Sequence, residues 1–338
     1  MIISIRKLLV IFSLMTWVFS WSLFFLSGVL PVSPDNFLYD TRWLIAQIGV
    51  FGPSLSALIL SSIQSRELRK NGLRIFSLFI LIFSVGIIIT QYVPRSIQDF
   101  TSIVSIAIVL VGLASLVFFS SLNRHLLIPG SGEVQGKAGF KGILLAVLGI
   151  PLLFFIGWIV VNLPGNSWDI ASLKNGPVSF VSVLITAFFM NLIFGGSMGE
   201  EIGWRGFALP LLLQKYSPLQ ASYVLGLMQA FWHLPVDISG ADVASIVAVI
   251  FRVGWSILIT IIFTWFYLNF EGNLLIALLL HTSVNVLPDL GFSGYEYSIL
   301  VLTLLLIVVS IIITRTPSMK SQSHVKEINS HTLGKNGH

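Results

Sequence analysis

The sequence predicts an all-α, polytopic membrane protein of about eight to ten transmembrane helices around a buried catalytic site. Three observations lead there. Of 338 residues 55% are hydrophobic and only 10% charged, where a soluble domain carries roughly 25% charged residues. The mean hydropathy is +0.93. Apolar runs about 20 residues long, enough to cross a bilayer's hydrocarbon, recur along the whole chain. There is no cysteine, which excludes disulfides, thiolate metal ligands and a cysteine nucleophile. The net charge of +5 is scattered over short loops, so the expected partner is the lipid bilayer and not nucleic acid.

The runs place spans near 8–30, 43–64, 73–93, 101–122, 141–163, 178–199, 219–236, 243–269, 274–288 and 297–314. Eight full crossings with re-entrant pieces is the variant. The first follows Arg6 and Lys7 as a signal peptide would, but Leu8–Leu30 exceeds the roughly 7–15 residues of a signal core, so it reads as a retained span. Arg66, Arg69, Lys70 and Arg74 separate the second span from the third, and Arg95 and Asp99 the third from the fourth. The glycine-rich segment Pro129–Gly139 divides an N-terminal section (1–128) of unknown role from a core (141–314). Within that core, Asp169 and Lys174 follow the fifth span, Lys215 the sixth, Asp237 and Asp242 the seventh, Glu271 the eighth, Asp289 and Glu296 the ninth. The remainder, 315–338, is a basic tail expected to be disordered and to rest on anionic lipid. With both termini cytoplasmic, the outer loops hold only Arg42, Arg95 and Lys174 of the nineteen lysines and arginines. Arg205 and Arg252 lie within spans, and the rest fall inside, as the positive-inside rule requires. A plasma-membrane location follows.

Few ionisable groups remain at membrane depth. Glu200 and Glu201 stand side by side in "GGSMGEEIGWRGF", where an ionised carboxylate costs several kcal/mol unless paired. Glu201 and Arg205 are i, i+4 and share a helix face, so they can pair. Glu200 is rotated about 100° away and is free to serve another element. His233 precedes Pro235 in the seventh span, and His281 and Asn285 form an i, i+4 pair in the ninth. Rises of 1.5 Å per residue put Glu200, His233 and His281 at compatible depths near the midplane or toward the cytoplasm. A carboxylate and an imidazole sharing a water make a general base. An amide and a ring nitrogen can donate to a developing oxyanion. No serine, threonine or lysine nucleophile is evident. Glu200, His233 and His281 could also hold zinc, drawn from separate helices, although HExxH is absent; spacing leaves the metal open.

"GEEIGWRGF", "FWHLP" and "HTSVN" resemble the EExxxR, FxxxH and HxxxN motifs of the CPBP family, which comprises type II CAAX prenyl proteases and bacterial Abi or bacteriocin-processing proteins. The likeness covers roughly residues 180–290. It implies an intramembrane endopeptidase in which Glu200 and His233 activate water, His281 and Asn285 stabilise the oxyanion, and Glu201 and Arg205 support them. It leaves a metalloprotease and a metal-free glutamate mechanism both open. One position departs from the pattern, since Gln229 stands where FxxxH has phenylalanine. The expected substrate is a hydrophobic, lipidated or membrane-associated peptide, reached through a site opening to the cytoplasm and the lipid. Two other classes compete: a non-catalytic immunity or peptide-binding protein on the same scaffold, and a proton-coupled transporter. The absence of repeat-symmetric halves argues against the transporter.

Overall fold

A computed structural model describes residues 4–30, 41–64, 66–92, 100–122, 139–163, 165, 168–174, 176–238 and 243–320. The interdomain segment 129–138 and the tail beyond residue 320, for which a linker and disorder are expected, lie outside the described residues. Everything regular is helical. The elements are α1 (Ile5–Val29), α2 (Thr41–Val50), α3 (Gly52–Gln64), α4 (Arg66–Tyr92), α5 (Phe100–Leu122), α6 (Phe140–Asn162) and α7 (Pro177–Ile193). There follow α8 (Ser197–Gly203), a wide π turn (Trp204–Ala208), α9 (Leu209–Leu213), α10 (Pro218–Asp237), α11 (Val243–Asn269), α12 (Leu274–Asn285) and α13 (Tyr295–Thr314).

Five helical stretches among the described residues are long and apolar enough to cross a bilayer: Ile5–Val29, Phe140–Asn162, Pro177–Leu213 taken across its break, Val243–Asn269 and Tyr295–Thr314. The pair α2 and α3, bent by 44°, makes a sixth. Two expected spans are interrupted. The second bends at Phe51–Gly52, just ahead of Pro53, which has no N–H to continue the ladder. The sixth does not run on to residue 199. It stops at Ile193, and Gly196, at φ +102°, turns the chain before α8 begins at Ser197. Only glycine adopts that backbone without strain. The π turn precedes Pro210, whose ring would clash with the Gly206 carbonyl in a regular α-helix, and widening the helix there removes the conflict.

Small residues let these helices approach closely, as they do in membrane interfaces generally. On α8, Gly199 and Gly203 press against the α2–α3 bend: a Cβ at Gly199 would lie 2.8 Å from the Val50 carbonyl oxygen, and one at Gly203 would meet Pro53. Ser54 Oγ donates to the Met198 carbonyl across the same seam at 2.8 Å. α10 and α11 form a hairpin held by Ser222 Oγ donating to Thr264 Oγ1 and by Thr260 Oγ1 donating to Gln229 Oε1, both at 2.8 Å. On the other flank α12 packs on α6, where Ser283 Oγ donates to the Ala146 carbonyl at 2.9 Å. Trp158 Nε1 ties α6 to the Ser293 carbonyl. An isolated antiparallel pairing of Ile170 with Phe292 closes that end. The N-terminal section is packed onto this core: Trp21 Nε1 of α1 donates to the Trp232 carbonyl of α10 at 3.1 Å, and Trp17 and Trp21 both meet the Phe231 ring.

Candidate active site

The break between α7 and α8 builds the site. Ending one helix and starting another strands backbone groups that must find partners, and α12 supplies one. Asn285 Nδ2 donates to the Gly195 carbonyl at 2.5 Å. One turn back on α12, Thr282 Oγ1 donates to Ser197 Oγ at 2.9 Å. His281 Nδ1 meets Glu201 Oε1 at 2.7 Å. The i, i+4 face predicted for His281 and Asn285 is therefore the face that docks on the glutamate helix.

Glu201 is the hub. The same Oε1 accepts from Arg205 Nη1 at 2.8 Å, in the i, i+4 pair expected from spacing, with the side chains 0% and 1% exposed. The guanidinium also lies over the Phe263 ring of α11, 4.1 Å from its centroid. A carboxylate can only accept, so His281 Nδ1 is the donor and its Nε2 is left facing the cavity. That bond was not legible in the sequence, where Glu201 seemed spent on the arginine and His281 was paired only with Asn285.

The side chain of Glu200, a residue 5% exposed, makes no hydrogen bond or ion pair among the described residues. Its Oε1 lies beside Gly196: a Cβ built there would fall 2.6 Å from Glu200 Oε1 and 3.6 Å from His281 Nε2. The two atoms thus border one small space that glycine keeps empty. His233 lines the same cavity as Glu200, His281 and Asn285, so the three helices do converge, although no hydrogen bond joins Glu200 to His233.

That cavity is about 510 Å³, within the range of sites that take a small ligand or a peptide side chain. Its lining includes residues the sequence left without a role. Gln229 stands one turn before His233, and its carbonyl is held by Thr260. This buried bond is how the chain accommodates an amide where the related motif has a phenyl ring. Arg252, which has no acid in its own span, forms a two-pronged pair with Asp237 at the end of α10, at 2.8 and 2.9 Å. Asp237 ends α10 whereas Arg252 lies nine residues into α11, so the antiparallel packing of the two helices, which their spacing in sequence does not reveal, brings the pair together. Phe24, Ser27 and Gly28 of α1 and Arg42, Ala46, Gln47 and Val50 of α2 complete the wall.

The lining on α1 and α10 belongs to their last turns, and that on α2 begins in its first turn, which sets the cavity toward the end of the bundle opposite the start of α1.

For metal, among the described residues no three His, Asp or Glu side chains converge closely enough to hold an ion. Glu201, the acid nearest His281, is already bonded to Arg205 as well. The donor set does not fit a three-ligand zinc centre.

These features define a multi-pass helical membrane protein with a buried pocket lined by glutamate, histidine and asparagine from separate helices. Residues 181–287 match the family described as type II CAAX prenyl endopeptidase Rce1-like, and that span contains the three motifs Glu200–Arg205, Gln229–His233 and His281–Asn285. The chain is also similar to the CAAX prenyl protease 2 of Methanococcus maripaludis, 26% identical over 122 residues. The alignment covers 34% of this chain and 44% of that relative.

Proposed function

We propose that the protein is an intramembrane endopeptidase that hydrolyses a peptide bond in a hydrophobic or membrane-associated peptide. The observation that carries this reading is the placement of Glu200, whose carboxylate has no hydrogen-bond partner among the described residues, in one cavity with His233, His281 and Asn285. The family likeness of this same span, and the name of its relative, support the reaction class.

In this reading Glu200 takes a proton from water while His233 helps orient it, and the hydroxide attacks the scissile carbonyl carbon. The resulting oxyanion accepts hydrogen bonds from Asn285 and from His281 Nε2 when that atom carries a proton. Asn285 keeps one N–H for this, its other being engaged by the Gly195 carbonyl. Glu201 holds the imidazole ring at the right angle through Nδ1. The protonated Glu200 then returns its proton to the departing amine. No step is routed through a metal.

The test is cleavage of a library of fluorogenic hydrophobic peptides by purified protein in micelles. Glu200→Ala and His233→Ala each lose turnover while keeping the wild-type melting profile. Turnover that survives both substitutions refutes the proposal.

A further inference from the structure

We infer that the substrate enters from the non-cytoplasmic side, so that the peptide recognised is one presented at the outer leaflet of the membrane. This rests on the peptidase reading for the nature of the substrate, whereas the side of access rests on geometry and charge alone.

The geometry comes first. Contacts advance in the same direction along α1 and α10, from Trp17 and Trp21 on Phe231 to Phe24 on Trp232, and the last turns of both helices, with Arg42 at the start of α2, line the cavity. At the floor Arg205 and Glu201 are 1% and 0% exposed. A Cβ at the exposed Gly28 would meet nothing within 4 Å. The opposite direction is closed. Leu209, Leu211 and Leu212 follow Arg205 directly and are at most 3% exposed, so packed hydrocarbon separates the floor from the start of α10.

The charge distribution then assigns the sides. Lys7 at the start of α1, Arg66–Arg74 at the start of α4, Lys141 at the start of α6 and Lys215 before α10 all mark the closed end. Among the described residues the open end carries Arg42, in the first turn of α2, and Lys174, which pairs with Asp169. Lysine and arginine excess marks the cytoplasmic face, so the mouth faces outward.

The chain has no cysteine, so a single introduced thiol reports one position. Gly28→Cys at the mouth and Lys215→Cys at the closed end are each treated with a membrane-impermeant maleimide in right-side-out vesicles. Gly28→Cys is expected to label without permeabilisation and Lys215→Cys only after it. The reverse pattern overturns the outward assignment, and a Gly28→Cys thiol unreactive in both states overturns the mouth. In the purified protein a bulky maleimide on Gly28→Cys is expected to abolish peptide cleavage, and on Lys215→Cys to leave it intact. Cleavage unaffected by the Gly28 adduct refutes entry by this route. If the unlabelled protein cleaves no peptide, the peptidase reading fails, and the vesicle labelling still decides the side of access.

Discussion

Replacing Glu201 with leucine tests the hub of the site. The carboxylate is fully buried and its Oε1 accepts from both Arg205 and His281. Among the described residues Arg205 Nε and Nη2 have no hydrogen-bond partner, so Glu201→Leu leaves a guanidinium whose remaining named interaction is the Phe263 ring. A desolvated cation–π contact supplies about 2 kcal/mol. Stranding a buried charge by removing its partner costs about 3–5 kcal/mol. The ring contact is present before and after the change, so the full cost stands. At about 1.4 kcal/mol per decade, the folding equilibrium falls by two to more than three orders of magnitude. Glu201→Gln keeps an acceptor oxygen and is expected to lose less. The double variant Glu201→Leu with Arg205→Met removes both charges and is expected to return to within about 1 kcal/mol of wild type, because well-packed apolar pairs replace buried ion pairs at little cost. Its activity is not expected to return, since His281 Nδ1 still lacks its acceptor. Unfolding by SDS in mixed micelles, followed through the fluorescence of the buried Trp204 and Trp232, measures the stabilities. A Glu201→Leu protein as stable as wild type, or a double variant that regains full turnover, refutes the assignment of Glu201 as both charge partner and histidine anchor.

Three further outcomes follow from the same geometry. Turnover is expected to persist after dialysis against a strong chelator, with metal analysis of the dialysed protein as the control; loss restored by zinc alone refutes the metal-free route. Gly196→Ala places a methyl 2.6 Å from Glu200 Oε1 at a φ of +102°, so it is expected to abolish cleavage, read as kcat against a melting curve that falls by much less than for Glu201→Leu. Gly203→Ala drives a methyl into Pro53 at the α2–α3 bend, an overpacking change worth about 1–3 kcal/mol. It is expected to lower stability in the same SDS titration, and a neutral result shows that the seam can open freely.

Much of this arrangement was readable from the chain alone. Apolar length located most spans, because hydrocarbon thickness imposes a minimum on any crossing helix and leaves no other economical way to satisfy its backbone. Glu201 and Arg205 were legible as a pair because an i, i+4 contact is made within one helix and needs no neighbour. The same logic put His281 and Asn285 on a shared face. That ionisable groups at such depth demanded a joint explanation also followed from solvation cost alone.

What the chain could not announce were the contacts made across helices. The bond from His281 to Glu201, the pairing of Arg252 with Asp237, the support of Gln229 by Thr260 and the walls contributed by α1 and α2 depend on which faces meet. In a bilayer the outside of a helix and the outside of its neighbour are equally apolar, so hydropathy carries no signal of helix orientation or partner. Tertiary packing decided those, and with them the end of the bundle at which the cavity opens.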